Sequence, residues 1–527
     1  MSEKHIRIFD TTLRDGQQCP GAGMSPELNI EYAILASEIK VDVLEAGFPS
    51  ASKGDFGIVN KIAKLLTEEN AYPEIAALCQ LRDKQIDITM EALQPALKNR
   101  KALLHVYVPV APALMDASLG DKQNKSKIVA QVFEYVSRAI QAGFKVEFSP
   151  EGYSKQGENF DFVTDLLSAA VEAGVTIINC PDTIGSGFFA EGPNYFVNKM
   201  LEHQKIVSEK FPSSKLIWST HCHNDYGLAV QNSINAVIEG PATQIEGCFN
   251  GIGERAGNAA LESVIMILDQ YGKLDTLTDS YFTNINIEKI QKISDFVKTH
   301  MLPRQPHWPV TGENASRHSS GGHTNAVIAD PLAYQPFDPR KTGNKISFIF
   351  GPLSGGNHAK NVIEEYGYVC DDSEKGAVAQ YIKDLYSERR KGITDDELVN
   401  GYIQFRSPIK IDNYDYSRTS TKVTLSLLGK VFDREGLIEE EYLGKDSALA
   451  ALHKLLDKKL NTKIISHKSE SDREGIEAES ISKILISTDD NIHFEGIGRD
   501  SDIEISALKA LSDAVNKAYV YLNFRTK

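Results

Sequence analysis

Eight short apolar runs recur along the N-terminal half of this chain: Ile6 to Phe9, Val41 to Phe48, Ile75 to Cys79, Leu103 to Val110, Val146 to Phe148, Thr176 to Cys180, Leu216 to Ser219 and Gln244 to Phe249. Between them lie amphipathic stretches of helical length, for example Ser25 to Lys40, Asp161 to Ala173 and Asn224 to Ile238. The first of these opens with Ser25-Pro26, an N-cap followed by proline at the first helical position. Eight alternating strand and helix units within about 275 residues match a (β/α)8 barrel in count and length. A doubly wound open sheet is the rival, and it would gather its ligands at one switch point.

The placement of polar residues decides between the two. Arg14 and Asp15 follow the first run, Glu45 lies late in the second, and Glu151 follows the fifth. Asp182 and Thr183 follow the sixth, His221 and His223 the seventh, and Asn258 the eighth. Each falls toward the C-terminal end of its strand, where barrel enzymes build their sites. The expected fold class is therefore α/β, a TIM barrel followed by further domains.

With 527 residues the chain exceeds one compact core and divides into several domains. A catalytic barrel is expected over residues 1–280, connecting subdomains over 281–416 and a C-terminal domain over 417–527. The rhythm breaks after about residue 280. Gly- and Pro-rich loops such as Met301-Leu-Pro-Arg-Gln-Pro-His-Trp-Pro309 follow, with Ser316-Arg-His318-Ser-Ser-Gly-Gly-His323 among them. In the last domain, strand-like Val423 to Leu428 and helical Ala448 to Leu460 are echoed by Ile484 to Ser487 and a helix running to about Tyr519. Gly444-Lys-Asp-Ser447 and Gly498-Arg-Asp-Ser501 read as openings of the two helices. Such an internal repeat suggests a small α+β domain for regulation or dimerisation.

Lys and Arg number 57 against 72 Asp and Glu, a formal charge of −15, which argues against nucleic-acid binding. No 18-residue apolar run appears, so no membrane span is expected. The N-terminal residues carry no apolar signal-peptide core, and the cytoplasm is the expected location. The six cysteines lack framework spacing and read as reduced thiols.

His221 and His223 stand two residues apart at the end of an apolar run, so both imidazoles point to one face. With Asp15 and Asn258 they offer two nitrogens, a carboxylate and an amide oxygen, a donor set that holds a divalent ion and leaves positions open. Those ligands do not discriminate among Mn2+, Mg2+ and Zn2+. The open positions suit a 2-oxo acid whose ketone is to be polarised, and Arg14 would stabilise the alkoxide that develops.

Taken together, Asp10-Thr-Thr-Leu-Arg-Asp-Gly16, Glu45-Ala-Gly-Phe-Pro49, Phe148-Ser-Pro-Glu151, Pro181-Asp-Thr-Ile-Gly185, His221 to Gly227 and Asn250 to Asn258 resemble the α-isopropylmalate synthase family. That family stands within a wider group of homocitrate, citramalate and hydroxymethylglutaryl-type enzymes. The resemblance implies a metal-dependent barrel that condenses acetyl-CoA with 2-oxoisovalerate to 2-isopropylmalate, the first committed step of leucine biosynthesis. It also implies a homodimer and a C-terminal domain that senses leucine. Carried over by position, Asp15, His221, His223 and Asn258 would be metal ligands and Arg14 the catalytic arginine. Thr183 would hold the oxo acid's carboxylate, with Arg14 and Glu45 also on the substrate. Glu151 and His323 would be the acid-base groups, His323 arriving from the neighbouring subunit.

The chain departs from the family pattern at Gln17, Gln80, Ala111 and Leu114, and lacks the usual signature near Gly444. These departures bear on the choice of oxo acid and on leucine inhibition. The alternatives are a sister synthase using pyruvate or 2-oxoglutarate, a hydroxyacyl-CoA lyase, or a sensory barrel without turnover.

Overall fold

The computed structural model describes residues 2–526 apart from 121–122, 190, 389–391, 445 and 472–478. Its chain forms two compact units, residues 1–316 with 336–346, and residues 317–335 with 347–527.

In the first unit the eight apolar runs become the strands β1 (Arg7–Asp10), β2 (Val43–Glu45), β3 (Glu74–Gln80), β4 (Ala102–Pro109), β5 (Lys145–Glu151), β6 (Ile177–Asp182), β7 (Ile217–Cys222) and β8 (Ala242–Gly247). They close into a barrel in sequence order. Its seam is the parallel pairing of β1 with β8, Arg7 opposite Gln244 and Asp10 opposite Gly247. No helix among the described residues is long and apolar enough to cross a membrane.

Alternate residues of each strand point into the barrel. Toward the N-terminal ends the interior is an apolar plug of Phe9, Val43, Ala76, Leu103 and Ile177. Two residues further along β2, β4 and β6 stand Glu45, His105 and Asn179, all buried and polar. The intervening residues, among them Ile8, Leu44, Val106, Phe148 and Ile178, face the surrounding helices and form the main core. The barrel is thus dry at its base and polar toward its mouth.

Local signals set the helix ends. Ser25 accepts the Leu28 N–H at 3.3 Å and caps the helix Pro26–Ile39, which stops where Lys40 turns left-handed at φ 66°. The helix after β7 begins at Ala229 rather than Asn224. The Asn224 side chain accepts the Ala229 N–H at 3.2 Å, and Gly227 turns the chain with φ 73°, so 224–228 is a capping turn.

In the second unit, helices Gly356–Glu365, Lys375–Leu385 and Asp395–Arg406 surround Phe350, Ile363, Ile382 and Tyr402. Beyond them the internal repeat is plain. Strands β9 (Ile409–Arg418), β10 (Lys422–Val431) and β11 (Arg434–Leu443) precede the helix α1 (Ala448–Asp457). Strands β12 (Thr462–Ser471), β13 (Ser480–Thr488) and β14 (His493–Asp500) precede α2 (Ile503–Phe524). Each half is a three-stranded antiparallel meander. The first strand of each carries a register shift near its start, at Ile411/Asn413 and at Ile464/Ser466.

The helix openings agree with expectation in only one half. Ser447 caps α1 by accepting the Ala450 N–H at 3.1 Å. For α2 the cap is Asp502, which accepts from Glu504 and Ile505, and Gly498 lies inside β14. Gly498 is needed for another reason: a Cβ there would overlap Ser506 O and stand 2.5 Å from Ala510 N, so the helix backbone rests directly on the strand. Gly498→Ala is expected to push α2 off β14 and destabilise the domain by about 1–3 kcal/mol. A lowered urea midpoint would register it, and an unchanged midpoint would show that the helix can give way.

Candidate active site at the barrel mouth

The turn after β1 presents Arg14 and Asp15. Asp10, at the end of β1, is fully buried and accepts the Thr12 N–H at 2.9 Å and the Tyr32 hydroxyl at 2.7 Å, which fixes the turn. Burial outweighs these hydrogen bonds and pushes its carboxyl up to about 6. At the end of β7, His221 and His223 share a face, while Cys222 is buried between them with its sulfur 3.2 Å from Thr220 Oγ1. An isolated antiparallel bridge pairs His223 with Asn258 and brings in the loop after β8.

Three expected ligands therefore converge. The two Nε2 atoms lie 3.2 Å apart and stand 3.8 and 3.9 Å from Asp15 Oδ2. Asn258 Nδ2 donates to Asp15 Oδ1 at 2.7 Å and to Ile252 O at 3.0 Å, while its Oδ1 is buried without a hydrogen-bond partner. Gly253 makes this approach possible, since at its φ of 150° a Cβ would overlap Asn258 Nδ2 and stand 2.6 Å from Asp15 Oδ1.

Electrostatics favour a cation here. Burial, assisted by His223, holds the His221 imidazole down at about 3, and burial likewise lowers His223, so both rings are neutral with lone pairs available. Burial opposes ionisation of Asp15, but the Arg14 guanidinium, helped by the Asn258 amide that donates to it, holds its carboxyl well below the usual range. Atoms bound about 2.1 Å from a common ion at angles near 90–110° lie about 3.0–3.4 Å apart. The imidazole pair meets that spacing, Asp15 Oδ2 at 3.8 and 3.9 Å lies wider but within the roughly 4.2 Å that two such bonds can span, and among the described residues Asn258 Oδ1 has no hydrogen-bond partner. The donor set fits a divalent ion.

Arg14 binds Asp15 Oδ2 through Nη1 and Glu45 Oε2 through Nε, both at 2.7 Å, and its Nη2 has no protein partner among the described residues. Glu45 lies behind it rather than in the cavity. It is fully buried, with the Thr11 hydroxyl at 2.5 Å, Arg14 at 2.7 Å and His105 Nδ1 at 2.8 Å around its two oxygens. Burial raises its cost of ionisation, yet Arg14 and His105 bring its carboxyl down to about 2. Glu45, expected on the substrate, is in position to orient Arg14 and His105.

A cavity of about 190 Å3 opens beside these groups, lined by Arg14, Asp15, His221, His223, Glu151 and Thr183. Burial raises the Glu151 carboxyl, and Arg14 offsets this in part. Thr183 Oγ1 accepts the Gly152 N–H at 2.9 Å, leaving its proton to donate. His323 belongs to the second unit, where its exposed ring stacks on Tyr334 with centroids 3.9 Å apart.

Sequence reading missed His105, Tyr107, Ser149, Asn179, Glu246 and Arg255, which also line the cavity. His105 Nε2 and Asn179 Nδ2 both meet the Ser149 hydroxyl, at 2.7 and 2.9 Å. Glu246 Oε2 stands 3.4 Å from His221 Nδ1, and burial raises its carboxyl well above the ordinary range. Most of these sit at alternate positions of strands, and a polar residue repeating every second place within an apolar run was the available signal. Gln17 is structural: its amide donates to Leu13 O and Asn29 Oδ1 and accepts the Met24 N–H, a pattern a carboxylate could not supply. Glu45→Ala would leave the buried Arg14 with Asp15 alone and strip His105 Nδ1 of its carboxylate, and is expected to destabilise the barrel by about 3–5 kcal/mol. Equilibrium unfolding in guanidinium measures this, and a loss below 1 kcal/mol would mean water or Asp15 replaces the lost carboxylate.

Three family models match the chain: HMGL-like over residues 5–297, homocitrate synthase post-HMGL domain-like over 310–390, and LeuA allosteric (dimerisation) domain over 413–519. Relatives named 2-isopropylmalate synthase match along the whole length. That of Staphylococcus epidermidis is 32% identical over 524 residues, covering 97% of each chain. That of Aquifex aeolicus is 32% identical over 536 residues, covering 99% of this chain and 97% of its own. The Pelotomaculum thermopropionicum enzyme is 32% identical over 529 residues, covering 98% and 99%.

Proposed function

The chain belongs to the 2-isopropylmalate synthase family, and on that premise we propose that its barrel condenses acetyl-CoA with 2-oxoisovalerate to give 2-isopropylmalate and CoA in leucine biosynthesis. The observation that carries this reading is the pair of neutral imidazoles 3.2 Å apart over an ionised Asp15, with Arg14 beside them. Asp15, His221, His223 and Asn258 would hold a divalent cation, Mn2+, Mg2+ or Zn2+, whose chemistry when bound is Lewis-acid polarisation of the keto group.

The residues themselves supply the rest. Arg14 Nη2, without a partner among the described residues, donates to the oxygen that gains charge as the carbon–carbon bond forms. The Thr183 hydroxyl donates to the oxo acid's carboxylate. A thioester methyl is a very weak acid, so a base must touch it, and Glu151, its carboxyl raised by burial, takes that proton. Condensation leaves a thioester that water hydrolyses, making the reaction irreversible. His323 enters as a second acid-base group on family likeness. The last domain is read as a dimerising, allosteric module with leucine as its effector, and the cytoplasm as the place of work.

Release of CoA thiol, followed with DTNB for each oxo acid, tests the substrate assignment. Turnover with 2-oxoisovalerate well above pyruvate and 2-oxoglutarate is expected, and thiol release with pyruvate alone would overturn it. His221→Ala is expected to abolish Mn2+ binding and turnover while the metal-free thermal midpoint stays within a few degrees of wild type, because the ligands add little to the barrel's core. Full turnover by the metal-stripped variant would remove the mechanism.

A further inference from the structure

The Pro-rich segment 301–316, which by composition reads as a linker, is fastened into the barrel by buried polar groups. The Trp308 indole N–H donates to Glu262 Oε1 at 2.7 Å, and Glu262, fully buried, accepts the Asn250 backbone N–H on its other oxygen at 3.0 Å. Arg304, 7% exposed, donates to Ser294 Oγ at 2.5 Å and pairs with Asp295 Oδ1 at 3.0 Å. Ser294 in turn bonds the Asn250 side chain twice, its hydroxyl to Oδ1 and its carbonyl accepting from Nδ2 at 2.8 Å.

Everything therefore meets on Asn250, which is held left-handed at φ 58°. The next residues build the site: Gly251 O accepts the Asn258 N–H at 3.0 Å, and Ile252 O accepts Asn258 Nδ2 at 3.0 Å. The Trp308 ring also packs on this loop, since a Cβ at Gly251 would stand 3.1 Å from Trp308 Cζ2. Within the segment Val310 adopts φ 67°, a conformation that β-branched residues avoid, and it persists only where surrounding contacts demand it.

We propose that residues 301–316 form a strap whose anchors, Trp308 and Arg304, position the Asn258 ligand through Glu262, Ser294 and Asn250. They are positioning residues for the metal site, and the inference rests on the metal reading given above. Trp308→Phe keeps an aromatic ring at this position and removes the indole N–H. With the full-length protein and free Mn2+ followed by electron paramagnetic resonance, its Mn2+ dissociation constant is expected to rise about tenfold, the scale found for groups that orient metal ligands. The metal-free thermal midpoint should move little, and saturating Mn2+ should restore kcat. Ser294→Ala is expected to act in the same direction and decides the matter should Trp308→Phe fail to fold. Mn2+ affinity within twofold of wild type in the deciding variant, while His221→Ala loses it, overturns the strap alone. Wild-type affinity in His221→Ala overturns the metal reading, and the strap with it.

Discussion

The two-residue period of a strand, imposed on a closed ring, is the constraint from which this protein's chemistry follows. Once β1 to β8 close, every second side chain must enter a space too narrow for disorder, so the interior is built in layers. The lowest layer is apolar and the next is polar, and that change converts a structural core into a site. His221 lies at the end of β7 and His223 just past it, which preserves the parity of the strand while letting the second imidazole meet the loop from β8.

Charge buried at that depth survives only when it is compensated. Arg14 lies between the carboxylates of Asp15 and Glu45, and His105 Nδ1 meets Glu45 on its other oxygen, so that each carboxylate has the guanidinium in contact. Burial works against every ionised member, and the pairings reverse it at Asp15 and Glu45. Glu246, buried with the Glu147 carboxyl beside it, is driven toward its neutral form instead. One small volume thus holds ionised and protonated carboxyls side by side, the separation that metal binding and proton transfer each require.

The parts outside the barrel are each ordered by different physics. Segment 301–316 is ordered by buried hydrogen bonds to groups that stand immediately behind the β8 loop. The duplicated C-terminal domain is ordered by a helix laid on glycine-bearing strand backbone and by the apolar residues of β10, β13, α1 and α2. In the first case polarity specifies one geometry, and in the second close packing does.

Much was legible in the residues alone. Alternating apolar runs and helical stretches determined the barrel, because hydrophobic period reports which faces must be buried, and the run ends located Arg14, Asp15, Glu151, Thr183, His221 and His223 at its mouth. Pattern likewise disclosed the C-terminal repeat, though it mistook Gly498 for a helix opening when the need was for helix-to-strand approach. Only the tertiary structure decided that Glu45 stands behind Arg14, that His105, Ser149 and Asn179 join across strands, and that a proline-rich segment fastens to Glu262 and Ser294, which hold Asn250. The relations within the barrel join residues 30 or more positions apart, and distance along a chain carries no record of which side chains folding will press together.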